Sequence, residues 1–402
     1  KNRPQIMFAL LLITFVNFVG IGALIPVLPY TVIEHLGYSE TVMSALLASF
    51  ALAMFVANPI LGRLSDRVGR QPVLLVSLMI GTAAHLWFAL SNDIISMFAA
   101  RIIAGLSAGN IGVIQAIIAD NSRPEERARI MGFLGAAIGS GFVLGPALGG
   151  LLGGIGSGPV HQTPFLIAAL FSFIAVCLTL RLKLQRTAPS RSSDRQNFLA
   201  ALRAMLSSPI GLFALAFFCL NLAFAQVEAS YVLLVRDVLD FGPRQTGWLF
   251  TYIGVCIILV QGGLIGRLTR RFGEMPIVIT GVAVLAFGQF FSAFIAGESG
   301  NSTMIFAAVI LSTSLVCIGF ALTNPTLSAA SSHVARADQM GGALGLVQGF
   351  GSMGQVIGLT IAGPLYQAGT GQLSFGFGCG ISCVLLIIVW QIKIRRITPA
   401  KP

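Results

Sequence analysis

Charge is scarce in this chain. Only 10% of its 402 residues are charged, against roughly 25% in an average soluble domain. With 55% hydrophobic residues, that shortage excludes an ordinary water-soluble globule, which would expose too much apolar surface. Histidine is scarcer still, with only His35, His85, His161 and His333. His85 and His333 lack nearby acids or cysteines in the sequence, and no clustered nucleophile and base is found, so no metal centre, cofactor or enzymatic chemistry is expected. The six cysteines (Cys177, Cys219, Cys256, Cys317, Cys379 and Cys383) all fall inside apolar runs, with no paired CxxC. That excludes a disulfide framework and a zinc site of paired thiolates.

What is present is apolar length, with a mean hydropathy of +0.87. A helix crossing about 30 Å of hydrocarbon needs roughly 20 apolar residues. Twelve runs qualify: 6–33, 40–61, 73–91, 94–119, 129–153, 164–180, 209–235, 245–265, 276–297, 303–329, 340–366 and 371–392. The fold class expected is an all-α membrane protein with twelve transmembrane helices. Several runs exceed one crossing, which predicts tilted or kinked helices. The first run carries Asn and Gly at its centre and no small-residue cleavage pattern, so a retained helix is expected, not a secretion signal.

The net charge of +11 follows topology and does not require nucleic acid. With the N-terminus cytoplasmic, 22 of the 25 basic residues lie on that side, leaving Arg101 within a run and Arg236 and Arg244 outside. This positive-inside bias predicts both termini in the cytoplasm of a plasma membrane, as in a bacterial inner membrane.

The polar stretch 181–208 is basic and Ser-rich. It divides the chain into an N-terminal six-helix bundle (1–180), a cytoplasmic linker (181–208) with a short amphipathic helix expected around 198–206, and a C-terminal six-helix bundle (209–402). The halves repeat one plan. Gly62, Arg63, Leu64, Arg67, Gly69 and Pro72 recur as Gly266, Arg267, Leu268, Arg271, Gly273 and Pro276 at a constant offset of 204. Gly132, Gly135, Gly139 and Gly141 recur as Gly342, Gly345, Gly349 and Gly351 at an offset of 210. Many secondary transporters are built from such repeats, with a substrate site near the midplane.

These residues carry a family resemblance. "GRLSDRVGRQP" at 62–72 resembles the signature cytoplasmic loop of the major facilitator superfamily. "RIIAGLSAGN" resembles its intramembrane arginine motif, and "GSGFVLGPALGG" its Gly-Pro motif in exporters. The wider N-terminal half is similar to the drug:proton antiporters, most of all the tetracycline-exporter branch. The C-terminal half shares the architecture and the degenerate second loop. The resemblance implies two pseudo-symmetric six-helix bundles and alternating access.

The charged turn is a candidate gate. Gly62 and Gly69 are expected to permit a tight connection, with Asp66 held among Arg63, Arg67 and Arg70. Asp120 and Arg129, at the inner ends of the fourth and fifth helices, are further members. The resemblance implies that Asp66 meets the start of the eleventh helix, near Gly341 and Gly342, when the inner side is closed. A carboxylate there gains roughly 0.3–1 kcal/mol from the helix dipole. The second copy has Arg270 in place of Asp66, so the gate is expected to be stronger in the first half. Topology alone is the alternative for the arginines, but it requires no acid.

Two ionisable residues lie deep in the runs, Arg101 and Glu228, and such residues are usually functional. Asn221, Phe224, Glu228 and Tyr231 share one face of the seventh helix by spacing, a polar and aromatic stripe suited to a cavity wall. A carboxylate withdrawn from water can take and release a proton, which makes Glu228 the leading proton-coupling candidate. The alternative is a carboxylate reaching water at the helix end. Arg101, Gly105, Ala108, Gly112 and Gln115 form a second stripe, whose small residues admit a helix or a substrate. For Arg101 the resemblance implies proton transfer or organisation of the cavity, with snorkelling as the alternative.

Tetracycline exporters carry an aspartate where this chain has Asn17, and place another acid in the ninth helix, where 276–297 has none. Tetracycline transport by that mechanism is therefore not expected: either Glu228 assumes the coupling, or the substrate and energetics differ. Asn17, Gln115, Asn221, Gln226, Tyr231, Asn324, Gln348 and Gln355 are candidate substrate-cavity residues, although buried amides also join helices. Gly145, Pro146 and Gly149 of the Gly-Pro helix are candidate flexing points, with tight packing as the alternative. The expected function is proton-coupled efflux of a small amphipathic, drug-like compound by a monomer. Alternatives are export of a siderophore or other metabolite, and uncoupled facilitation.

Overall fold

The computed structural model describes residues 3–122, 124–153, 159–182, 208–298, 303–334 and 340–395. Within them, twelve helices are long and apolar enough to cross a membrane. They are α1 (Arg3–Gly22), α2 (Glu40–Val68), α3 (Arg70–Leu90), α4 (Ile94–Asn121), α5 (Pro124–Leu152) and α6 (Gln162–Arg181) in the first half. The second half has α7 (Pro209–Leu239), α8 (Pro243–Phe272), α9 (Glu274–Ile295), α10 (Thr303–Val334), α11 (Met340–Gly369) and α12 (Gln372–Ile394). The expected linker falls largely outside the described residues, and so does the amphipathic helix expected around 198–206.

Local chemistry sets the helix ends. Ser39 caps α2 by accepting from the Val42 N–H, and Asp93 caps α4 by accepting from Ser96 N at 2.8 Å. Gly69 alone separates α2 from α3 at φ +112°, and Gly273 alone separates α8 from α9 at φ +81°. A side chain would be strained at either φ, so the repeated turn needs glycine at both places.

Several expectations are corrected. The run 6–33 is not one helix: α1 stops at Gly22, turns follow, and a short π-helical stretch, Tyr30–His35, comes after Pro29. The short charged turn read at 62–72 narrows to a single residue. Helix α2 runs through Gly62 to Val68, so Gly62 lies inside a helix and only Gly69 makes the turn. In keeping with the kinks expected, α4 is interrupted at Gly109 and Asn110, and α8 contains a π-helical turn over Val260–Leu264.

The chain forms two compact units, residues 1–192 with 242–254, and residues 193–241 with 255–402. In the first, α1 packs on α5, α3 on α6, and α2 on α4. Leu10, Leu74, Ile114 and Ile117 lie in one apolar cluster of this unit, and Phe88 stacks on Phe165 with ring centres 3.8 Å apart. The opening turns of α8 belong to this unit. Tyr30 and Thr246 hydroxyls lie 2.9 Å apart, and Gly150 meets Gly247 so closely that a Cβ on either would overlap the other's backbone.

In the second unit α7 packs on α11, α9 on α10, and α9 and α7 both on α12. The 1–5 and 3–6 pairings of the first unit thus recur as 7–11 and 9–12. Side chains such as Val76, Phe173, Phe290 and Trp390 are exposed, as bilayer-facing surfaces are.

Candidate functional site

Of the four residues read on one face of α7, Asn221, Phe224 and Glu228 are half-buried and Tyr231 is buried, and α11 packs alongside. Glu228 is half-buried, eleven residues before the C-terminal end of α7 and so about 16 Å from it along the axis. The Gln355 amide of α11 donates to its Oε2 at 2.9 Å. Phe224, one turn earlier, stacks on Phe320 of α10 with centroids 3.8 Å apart and planes 17° off parallel. Asn221, half-buried, donates to the Phe217 carbonyl beside Gly351, where a Cβ would crowd its amide.

Why α11 can reach Glu228 follows from its glycines. A Cβ at Gly354 would overlap the Phe218 carbonyl, and one at Gly358 would overlap Ala225 and Leu222 of α7. Glycine at these places lets the two backbones touch, which places Gln355 within hydrogen-bond reach of the carboxylate.

Other sequence candidates separate on inspection. Gln226 is buried, donates to the Gly358 carbonyl at 3.0 Å and accepts from Ser374 at 3.1 Å, so it joins α7, α11 and α12 and does not line an opening. Tyr231 is also buried, its hydroxyl 2.6 Å from that of Thr313. Gln348 is exposed, Asn324 is half-buried beside Pro325, and in the first unit Asn17 is buried and Gln115 exposed. Sequence reasoning missed Gln289. It is fully buried in α9, bonded to the Ala223 carbonyl at 2.8 Å and to Ser382 at 2.8 Å. A glutamine inside a long apolar run was the available signal.

Arg101 does not snorkel. It is 4% exposed, and its guanidinium lies 4.2 Å from the centre of the Phe50 ring, a cation–π geometry. The small residues on its stripe receive a helix: Gly105 faces Phe50 and Ala53 of α2, and Gly112 N–H donates to Asn58 Oδ1 at 3.0 Å. The Gly-Pro segment packs tightly too. A Cβ at Gly145 would overlap Val19 and Gly22, and one at Gly149 would overlap Ala23, with Pro146 inside continuous helix.

In the charged segment Arg70 is the hub. It binds Asp66 at 2.6 Å, Asp120 at 3.2 Å and the Ser65 hydroxyl at 2.7 Å. Arg67 is exposed, while the side chain of Arg129 and the surroundings of Gly341 and Gly342 lie outside what is described. The second copy reverses the charges. Glu274, at the position equivalent to Arg70, meets His333 of α10 at 3.1 Å, and Arg270 replaces Asp66. Among the described residues no group of three or more His, Cys, Asp or Glu side chains could hold a metal ion.

Comparison with known proteins agrees with this architecture. A family description, the Major Facilitator Superfamily, matches residues 10–341. Multidrug resistance protein 2 of Bacillus subtilis is 29% identical over 91% of this chain and 90% of its own length. The class C tetracycline resistance protein of Escherichia coli is 32% identical over 87% of both chains. Among solved structures, the nucleoside transporter NupG superposes with a TM-score of 0.74 at 15% identity, over 96% of this chain and 99% of that one. The D-xylose-proton symporter gives 0.75 at 14% identity, over 96% and 97%. With twelve spans, a duplicated bundle and a match over most of its length, the chain is a multi-pass membrane transporter, not an enzyme, and belongs to the major facilitator superfamily.

Proposed function

We propose that the protein exports a small amphipathic organic compound in exchange for protons, by alternating access. The observation that carries this reading is the Glu228 carboxylate, deep in α7, held by Gln355 and one turn from the stacked Phe224 and Phe320. A carboxylate withdrawn from bulk water is a proton carrier, and the aromatic pair with the Asn221 amide offers a flat apolar surface and a hydrogen bond to an organic substrate. Relatives named for multidrug, tetracycline and quinolone resistance support the substrate class.

Glu228 takes up a proton in one stage of the cycle and releases it in another, and the ionised form receives substrate. Gln355 suits both stages, because its amide donates to the carboxylate and, turned over, accepts from the neutral acid. Arg101 organises the first unit around Phe50. The Asp66–Arg70–Asp120 cluster acts as the inner gate, and both termini lie in the cytoplasm, following the charge bias.

The test is transport of dye and antibiotic substrates in proteoliposomes under an imposed proton gradient. Glu228→Gln should abolish the dependence on the gradient. Gradient-driven transport equal to wild type in that variant would remove the assignment.

A further inference from the structure

We infer that the C-terminal end of α8 is a binding site for an anionic phospholipid, with Arg267, Arg270 and Arg271 holding the phosphate headgroup and the bare glycines before them receiving an acyl chain. The starting point is what the sequence repeat alters. The first copy supplies acids to its arginine hub, Asp66 and Asp120. The second replaces Asp66 with Arg270, and Glu274, its nearest acid in sequence, is engaged by His333. Among the described residues no carboxylate pairs with Arg267, Arg270 or Arg271, and all three are exposed.

Geometry gathers them. Ile265 and Leu268 pack one face of the helix against the cluster of Val260, Ile277, Ala321 and Leu322. Positions 267, 270 and 271, at helical spacing, fall on the opposite face within little more than one turn. Three guanidinium groups so placed suit the oxygens of a phosphodiester. A second, independent feature lies just before them. Gly262, Gly263 and Gly266 have no atom within 4 Å of where a Cβ would stand. Gly141, Gly354 and Gly358 are occupied by a neighbouring helix, whereas Gly62, Gly135 and Gly139 are as open as Gly262, Gly263 and Gly266; what sets this strip apart is its place directly before those arginines.

The occupant follows from what flanks the arginines. Leu259, Leu264 and Phe272 are exposed apolar side chains, and Leu259 lies in the membrane-spanning part of the same helix. A ligand with an anionic head and an apolar tail matches both parts. Free phosphate matches only the arginines, and an acidic soluble peptide does not match the apolar continuation.

The test uses the purified full chain. Native mass spectrometry from mixed phosphatidylglycerol and phosphatidylcholine micelles should show phosphatidylglycerol retained in preference. Arg267→Gln/Arg270→Gln/Arg271→Gln should lose that preference, each arginine contributing roughly fivefold, the usual ratio for a basic residue beside an anionic membrane. The triple lysine variant should keep part of it. Gly263→Leu should lower lipid retention with the arginines intact. Equal retention of both lipids by the wild type overturns the site, and that result needs no variant to fold. Displacement of the retained lipid by millimolar inorganic phosphate or by a polyglutamate peptide also overturns it in favour of those ligands.

Discussion

Glu228 on α7 accepts a hydrogen bond from the Gln355 amide of α11. A hydrogen bond to a charged group contributes about 1.5–3 kcal/mol, more than most surface ion pairs. Gln355→Met, close in volume but without an N–H donor, is therefore expected to weaken substrate binding at neutral pH by about tenfold or more. Gln355→His, which keeps a donor, should recover part of it; binding titrations on the purified protein decide. Arg70 presents the opposite case. Its two carboxylate partners are partly exposed, with Asp66 at 39%, so each pair contributes at most about 1 kcal/mol to stability. Asp66→Asn should leave the thermal midpoint nearly unchanged yet increase labelling of cytoplasmic-side cysteine probes. A large loss of stability with unaltered labelling would make the cluster structural.

Helices in this protein are positioned by where glycine is required and where it is not. Gly149 abuts the backbone of Ala23, whereas Gly139 has no atom within 4 Å of a Cβ position. Gly149→Ala should cost a few kcal/mol, as overpacking does, while Gly139→Ala should be neutral or stabilising by up to about 1 kcal/mol. Thermal unfolding in detergent separates the two. The start of α6 gives a pH test. His161 is 1% exposed, sits before Gln162 and lies 3.1 Å from the Ser91 carbonyl. Burial holds its imidazole below the ordinary 6.5; the Ser91 bond opposes this and the charge of His35 adds to it. The unfolded chain then binds the extra proton first, so stability should fall as pH drops below about 6.5. His161→Gln should remove that slope in unfolding scans.

At the scale of the whole molecule, charge placement and duplication dominate. The bias of 22 basic residues to one side predicts that Tyr38→Cys is labelled by an impermeant maleimide from outside and Arg395→Cys only from inside, in a background lacking the native cysteines. The duplication is visible in packing as well as in sequence. The first unit's pairing of α1 with α5 and the second's of α7 with α11 place Gly141 and Gly351, 210 residues apart, against equivalent partner helices. The reversed charges of Glu274 and His333 against Arg70 and Asp120 show that the copies have diverged at their turns while keeping the helix plan.

The sequence by itself determined the number of spans, because apolar length has few other uses, and the duplication, because charged turns do not recur by chance. It also placed Asn221, Phe224 and Glu228 on one face, since helical spacing is local. Only the tertiary structure decided which partner each amide meets. Gln226 and Gln355 look alike in sequence, yet one is bonded between three helices and the other holds Glu228. The physical reason is that a side chain's environment is set by whichever helix packs against it, a partner far away in the chain. The ends of the helices were decided there too: α1 stops at Gly22 and α2 continues to Val68, because turns and packing, not hydropathy, fix where a helix ends.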